Sequence, residues 1–152
     1  MPLRVALFEP EIAGNVGNVL RLCACMGAGV DLIEPLGFAW DDKRVRRSAM
    51  DYIDHVEVTR HANFDAFRAG TSGRLVLFTT RAEQSSYDFQ YRVSDVLLFG
   101  KESAGVTDEV RGAVDASVRL PMRPEVRSLN LATSVGIALG EAMRQSRTLP
   151  VG

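Results

Sequence analysis

The sequence contains few of the residues that build metal centres and disulfide frameworks. Its 152 residues include two cysteines, Cys23 and Cys25, and two histidines, His55 and His61. Cysteines two positions apart on a helix point in different directions, so we expect neither a disulfide nor a zinc site between them. We therefore expect reduced thiols, a cytoplasmic protein and chemistry that needs no metal.

Long apolar runs and the common nucleotide-binding and hydrolase motifs are also missing. No apolar stretch approaches the ~20 residues that cross a membrane, and the first residues follow a strand pattern rather than a signal-peptide pattern. The chain has no G-x-G-x-x-G after its first strand, no G-x-x-x-x-G-K-[ST] and no G-x-S-x-G motif. These absences argue against nicotinamide, flavin and nucleoside triphosphate binding, and against a serine hydrolase.

Lysine is nearly absent, and the overall charge is balanced. The chain has 18 Lys and Arg residues against 19 Asp and Glu residues, and Lys43 and Lys101 are its only lysines. A net charge of −1 gives no global attraction to nucleic acid, so an RNA-binding surface must be a local patch. The candidate patch consists of Lys43, Arg44, Arg46 and Arg47, with Arg60 and His61 nearby in sequence. The alternative is a solvated helix face, because Asp51, Asp54 and Glu57 dilute the positive charge.

Apolar runs of strand length alternate with helical patterns along the chain. The runs predict strands at 3–8, 30–33, 56–59, 74–80, 96–100 and 117–120. Helical spacing and capping residues predict helices from Asn15 to Gly27 and at 41–50, 63–69, 107–114 and 128–147. This alternation is typical of an α/β fold with a mainly parallel sheet and helices on both faces. Without a linker or repeat, residues 1–152 are expected to form one domain.

Three strand ends have the composition of ligand-binding loops. They are 78–80, 99–105 and 120–123, the last followed by 127–130. In parallel sheets ligands gather at the carboxyl ends of strands, and Gly100 and Gly105 would allow a loop to approach a flat ring closely. Leu120 and Met122 would add apolar contacts. The alternative is that each loop is an ordinary strand-to-helix turn.

The first predicted helix carries an unusual polar face. Asn15 is predicted to cap its N-terminus, and Asn18 and Arg21 lie three residues apart on neighbouring positions. This face lies opposite an apolar stripe that includes Val16, Val19 and Cys23. The pattern indicates a polar site on the first helix, although a capped helix with a solvated face remains the alternative.

Three blocks, at 15–21, 97–106 and 120–135, stand in the order and at the spacing of a known family. In them the chain resembles the SpoU-like branch of the SPOUT RNA methyltransferases. Segments 8–12 and 33–44 are similar to the TrmL type of that branch, which methylates the 2′-hydroxyl of wobble nucleotide 34 in tRNA. The chain departs from the family at Lys101, where proline is common.

The resemblance implies a deep trefoil knot in the C-terminal half, S-adenosylmethionine as methyl donor, tRNA as substrate and a homodimer whose active sites draw on both subunits. It implies catalytic roles for Arg21, Asn15, Ser128 and Asn130. It implies cofactor contacts from Phe78, Thr79, Gly100, Lys101, Glu102, Leu120, Met122, Ser128 and Leu129. Because arginine stays protonated in proteins, we expect Arg21 to orient phosphate and ribose rather than to act as an ordinary base.

Two other functions stay open at this point. The first is 2′-O-methylation of another RNA, such as ribosomal RNA, and the second is a non-catalytic RNA-binding relative. An assay that compares methyl incorporation into tRNA and into ribosomal RNA distinguishes the first alternative from methylation of the tRNA wobble nucleotide. A measurement of S-adenosylmethionine binding tests the second alternative, since a non-catalytic relative would not bind the donor. That alternative is also disfavoured by the joint presence of Asn15, Arg21, Gly100, Ser128 and Asn130.

Overall fold

The computed structural model describes residues 3–126 and 128–152 and forms an α/β fold around one six-stranded sheet. The strands are β1 (Arg4–Phe8), β2 (Gly29–Ile33), β3 (Val58–His61), β4 (Leu75–Phe78), β5 (Val96–Phe99) and β6 (Ala116–Val118). Their order across the sheet is β3-β2-β1-β5-β4-β6, and every neighbouring pair is parallel. The predicted α/β class with a parallel sheet is therefore confirmed. Arg127, part of the third predicted loop, lies outside the described residues.

The helices cover both faces of the sheet, as predicted. They are α1 (Ala13–Met26), α2 (Lys43–Ala49), α3 (Phe64–Ala69), α4 (Asp108–Ala113) and α5 (Leu131–Ser146), with a 3-10 helix at Met50–His55. Alternate strand residues point to opposite faces. Leu7 and Leu97 therefore pack with α1 and α5, whereas Ala6 and Leu98 pack with Phe67 of α3 on the other side.

Two elements begin or end where local chemistry differs from the prediction. Helix α1 begins at Ala13, so the prediction that Asn15 caps it is wrong; Ile12 is the cap residue and makes no side-chain cap. Its end is as predicted, because Gly27 adopts a φ of +79° and donates its N–H to Cys23. Helix α5 begins at Leu131 rather than 128, because the Asn130 side chain accepts from the free N–H groups of its first turn.

Close packing of α1 on α2 depends on Gly17. A Cβ at this position would lie 2.5 Å from both Ser48 Cβ and the Val45 carbonyl oxygen. Glycine thus lets the short basic helix α2 dock against the first turns of α1. Near the other end of α1, Cys23 is buried, and this burial raises the pKa of its thiol to about 12.

Helix length and polarity also bear on membrane insertion. Across the described chain, each helix is either too short or too polar to span a lipid bilayer.

Candidate functional site

A cavity of about 450 Å³ opens at the carboxyl ends of β4 and β5, beside the start of α5. The predicted site residues that line it are Asn15, Phe78, Thr79, Gly100, Lys101, Glu102, Met122, Ser128, Leu129 and Asn130. Ile12, Thr80, Gly105 and Ser134 also line it, although the sequence did not single out Ile12 or Ser134. The loops after three strands thus meet the N-terminal ends of α1 and α5 at one place. This is where parallel sheets place their ligand sites.

The floor of the cavity is aromatic and rigid. The rings of Phe78 and Phe99 stack with centroids 4.8 Å apart and an interplanar angle of 11°. Both residues are the last of their strands and are almost fully buried, because the sheet and α5 cover them. Such a floor offers an apolar surface to a flat ring.

The loop after β5 forms a glycine cradle. Lys101 and Gly105 exchange two backbone hydrogen bonds of 2.9 Å, which close residues 101–105 into a tight turn. A Cβ at Gly100 would lie 2.5 Å from the Gly105 carbonyl carbon, and Gly105 itself has a φ of +68°. Both positions therefore require glycine, one for close approach of two backbones and the other for a left-handed conformation.

Three polar side chains form a continuous hydrogen-bonded chain along the cavity rim. Asn15 donates its Nδ2 to Glu102 Oε2 at 3.1 Å, and Asn130 donates its Nδ2 to Asn15 Oδ1 at 2.9 Å. Asn130 Oδ1 in turn accepts from the backbone of Ala132 and Thr133 in α5. The amide of Asn15 is thus oriented from both ends. Placing Asn15 inside the first turn of α1, rather than at its cap, makes this arrangement possible.

A second set of contacts joins the segment after β1 to the loop after β5. The Glu11 carboxylate accepts from the backbone N–H and the hydroxyl of Ser103, both at 2.9 Å. These hydrogen bonds, the backbone one first, lower the pKa of Glu11 below its ordinary value. Lys101 Nζ lies 3.4 Å from Glu9 Oε1. Sequence reasoning missed Glu9 and Glu11, because their partners stand about 90 positions away in the chain.

Arg21 lies outside the cavity lining. Its guanidinium carbon stands 5.2 Å from the centroid of the Tyr52 ring, on the exposed side of α1. Arg21 follows Asn15 by six positions, which corresponds to about 9 Å along a helix axis. Within one chain, therefore, the cavity and Arg21 are neighbours rather than members of one pocket.

Leu120 does not line the cavity either. It is 8% exposed and belongs to the hydrophobic core beneath α5, whereas Met122, two residues later, reaches the cavity.

The four basic residues predicted on the second helix are all exposed, but one of them is paired with an acidic residue. Asp42 caps α2 by accepting from the N–H of Arg44 and binds the Arg44 guanidinium at 2.7 Å. The side-chain hydrogen bond to Arg44 is the main reason why the pKa of Asp42 falls to about 2. Arg44 is therefore exposed but partly neutralised, and Lys43, Arg46 and Arg47 are also exposed on the surface of α2.

The two remaining predicted RNA-binding residues lie in separate contacts. Arg60 pairs with Glu34 at 3.0 Å and stacks over the Trp40 ring. His61 Nε2 lies 2.8 Å from Asp31 Oδ1, and Arg4 binds the same buried carboxylate. His61 is thus occupied within a polar cluster under the sheet edge and does not face solvent with α2.

Within residues 3–126 and 128–152, no three His, Cys, Asp or Glu side chains are arranged to hold a metal ion.

Comparison with known proteins assigns the family. Residues 2–140 match the SpoU rRNA Methylase family. A tRNA (cytidine(34)-2'-O)-methyltransferase of Beijerinckia indica subsp. indica is 49% identical over 93% of this chain and 90% of its own length. A solved structure described as "Structural insights into the 2-OH methylation of C/U34 on tRNA" has a TM-score of 0.90 and 41% identity, over 94% of this chain and 95% of its own.

A third relative binds the expected methyl donor. It is the SpoU methyltransferase AviRb from Streptomyces viridochromogenes in complex with the cofactor AdoMet. Its TM-score is 0.80 at 28% identity, with 95% of this chain and 57% of the AviRb chain covered. The extent of the family match and the identity to these relatives leave one conclusion: the chain belongs to the SpoU rRNA methylase family.

Proposed function

We propose that this chain transfers the methyl group of S-adenosylmethionine to the ribose 2′-hydroxyl of wobble nucleotide 34 in tRNA. The observation that carries the proposal is the convergence of three strand-end loops on one cavity whose rim holds Asn15 and Asn130. The names of relatives that match nearly the whole chain supply the nucleotide. Lys43, Arg46 and Arg47 on α2 would contact tRNA phosphates.

The cavity fits the methyl donor on its own geometry. A Cβ at Gly100 would fill the cradle that the 101–105 turn leaves, and the stacked Phe78 and Phe99 rings form an apolar floor. Thr79, Lys101, Glu102, Met122, Ser128 and Leu129 complete the set of residues that would hold the donor. When bound, S-adenosylmethionine supplies a methyl group already activated on a sulfonium, so no metal is required.

The protein's own task is to orient the acceptor. Asn15, fixed by Glu102 and Asn130, presents its polar atoms at the rim where a ribose would enter. Ser128 lines the same rim. Alignment of the ribose oxygen with the methyl carbon is a proximity effect that contributes several kcal/mol to such reactions. The proton of the hydroxyl then leaves to a nearby acceptor or to water.

We propose further that the active form is a homodimer in the cytoplasm. Arg21 lies outside the cavity of its own chain, and its guanidinium is held on the exposed side of α1 by Tyr52. In a homodimer, Arg21 of one copy would complete the cavity of the other. Arg21 would then grip the phosphate and ribose of the nucleotide.

We also propose that residues 1–152 form a single SPOUT domain with a trefoil knot in its C-terminal half. Two contacts support threading of this part of the chain. Residues 84–86 pair with Arg119, and Gln145 of α5 binds the backbone of Phe89 and Tyr91. The 79–95 segment thus wraps against both the strand end and the last helix. An experimental crystal structure with an unthreaded C-terminal half would contradict the knot.

A direct assay tests the function. Purified protein and S-adenosylmethionine with a labelled methyl group are incubated separately with tRNA and with ribosomal RNA. Label in tRNA at nucleotide 34 supports the proposal; label only in ribosomal RNA would favour the alternative that the family's name suggests. Calorimetry with S-adenosylmethionine identifies a non-catalytic relative, which would show no binding.

A further inference from the structure

The turn after β5 has almost no apolar anchorage of its own. Glu102, Ser103 and Ala104 are exposed, and Lys101 is half-buried. Exposed loops without buried side chains owe their position to polar contacts. The backbone bridge between Lys101 and Gly105 closes the turn upon itself, but it does not fix where the turn points.

Glu11 supplies three of the contacts that fix the direction of the turn, and the Asn15–Glu102 and Glu9–Lys101 contacts described above add to them. Its carboxylate accepts two hydrogen bonds of 2.9 Å from Ser103, one from the backbone and one from the hydroxyl. Its backbone N–H donates in the opposite direction to Glu102 Oε1 at 3.1 Å. Hydrogen bonds therefore run in both directions between the two segments. Those that a carboxylate accepts are stronger than hydrogen bonds between neutral groups.

Glu11 itself stands on a rigid support. Glu9 donates its backbone N–H to Ile33, and Gly37 donates to the carbonyl of Pro10, both at 2.9 Å. A Cβ at Gly37 would lie 2.8 Å from Glu11 Cα, so the two backbones are in close contact. A segment tied by backbone hydrogen bonds to β2 and to Gly37 thus helps to hold the turn.

We infer that Glu11 is a positioning residue that sets the 101–104 turn for methyl transfer. By holding Ser103 it keeps the Gly100–Gly105 cradle closed, and by binding Glu102 through its backbone it leaves Oε2 of that residue free to orient Asn15. Glu11 does not line the cavity, so it would act on the reaction only through the turn. The part of the inference that concerns methyl transfer rests on the proposed function, whereas the ordering of the turn does not.

The test compares Glu11→Ala, Glu11→Gln and Ser103→Ala with the control Glu109→Gln, which alters an exposed carboxylate on α4. Amide hydrogen exchange of residues 101–104, measured without any ligand, should accelerate about tenfold in Glu11→Ala and stay unchanged in the control. Glu11→Gln keeps an oxygen that accepts from Ser103 and should recover part of the protection. Melting temperatures should match that of the control.

Function provides the second readout. In Glu11→Ala the Kd for S-adenosylmethionine should rise about tenfold, because the site must be ordered on binding. At saturating donor, kcat should fall while the KM for tRNA stays the same. Adding Ser103→Ala to Glu11→Ala should cause no further loss, since both changes remove the same contact.

The outcomes separate the inference from the proposed function. Unchanged exchange of the turn in Glu11→Ala, or fully additive effects of the two substitutions, would overturn the inference even if the protein methylates tRNA. Faster exchange in a protein that binds no S-adenosylmethionine would support the role in ordering the turn and refute methyl transfer. Should Glu11→Ala fail to fold, Glu11→Gln and Ser103→Ala carry the same comparison.

Discussion

Asn130 donates its side-chain amide to Asn15 Oδ1 at 2.9 Å while its own oxygen caps α5. One residue thus joins the start of the last helix to the polar face of the first. The backbone N–H groups of Ala132 and Thr133 donate to the Asn130 oxygen, and Asn15 in turn donates its Nδ2 to Glu102. The Asn130 side chain therefore has two roles: its oxygen stabilises α5, and its amide nitrogen orients Asn15 at the rim. Substitutions can separate these two roles.

Asn130→Ser should impair methylation without destabilising the protein. Serine caps helices about as well as asparagine but is too short to reach Asn15. Misorientation at the rim should reduce kcat/KM for tRNA by about 10- to 100-fold. Asn130→Ala should show the same kinetic loss together with a decrease of ~1 kcal/mol in the free energy of unfolding. Equal stability of the two variants would argue against the cap, and full activity of Asn130→Ser against the rim contact.

Gly100→Ala should open the donor cradle. The new methyl group would lie 2.5 Å from the Gly105 carbonyl carbon, so the turn must move away from β5. The Kd for S-adenosylmethionine, measured by calorimetry, should rise more than about tenfold. Gly112→Ala is the matched control, because a Cβ there would meet no atom of the described chain within 4 Å. Normal donor affinity in Gly100→Ala would mean that the cradle does not bind the donor.

Arg21→Ala should abolish methylation and leave donor binding intact. The guanidinium lies on the exposed side of α1, away from the cavity lining, so its removal should not alter the donor site. We expect turnover to fall at least about 100-fold, because a mispositioned acceptor loses most of the proximity effect. Single-turnover assays with calorimetry as a parallel measurement separate the two steps. Tyr52→Phe keeps the ring face and should retain activity, whereas turnover near the wild-type rate in Arg21→Ala would refute this role.

Acid should remove the contribution of Asp42 to stability. The pKa of this carboxyl falls from 3.8 in the unfolded chain to about 2 in the folded one, through hydrogen bonds with Arg44. A lowered folded-state pKa gives stabilisation that is complete above the unfolded value and is lost as the pH falls towards 2. The difference in unfolding free energy between wild type and Asp42→Ala should therefore persist from pH 7 to 5 and shrink between pH 4 and 2. A difference that grows on acidification would contradict the assignment.

Much of the architecture could be predicted from local patterns. Buried runs such as Leu75–Phe78 and Val96–Phe99 are apolar throughout, as strands of a sheet covered on both faces are, and Gly27 marks the end of α1. Topology marks the loops at the carboxyl ends of those strands as candidate ligand sites, and the resemblance to the SpoU-like methyltransferases implies which of their residues bind. The cavity they form agrees in its lining with most of the residues that sequence reasoning grouped there.

What could not be predicted depends on long-range geometry. Local capping statistics favoured Asn15 as a helix cap, but its partners are Glu102 and Asn130, distant in sequence. The sequence places His61 near a basic patch, but in the fold its ring contacts Asp31 of the neighbouring strand β2. Glu11 belongs to no local motif, because the role of its carboxylate depends on hydrogen bonds from Ser103, which lies 92 positions away in the sequence. Contacts between separate loops cannot be predicted from the local sequence of either loop.

The most direct measurement of the central claim is mass spectrometry of tRNA from cells that lack this protein. Wobble nucleotides that carry a ribose methyl group in the parent cells should lack it in the deletion strain. Expression of the wild-type chain should restore the modification, and expression of Arg21→Ala should not. Wobble methylation that persists without the protein, or a loss confined to ribosomal RNA, would contradict the account.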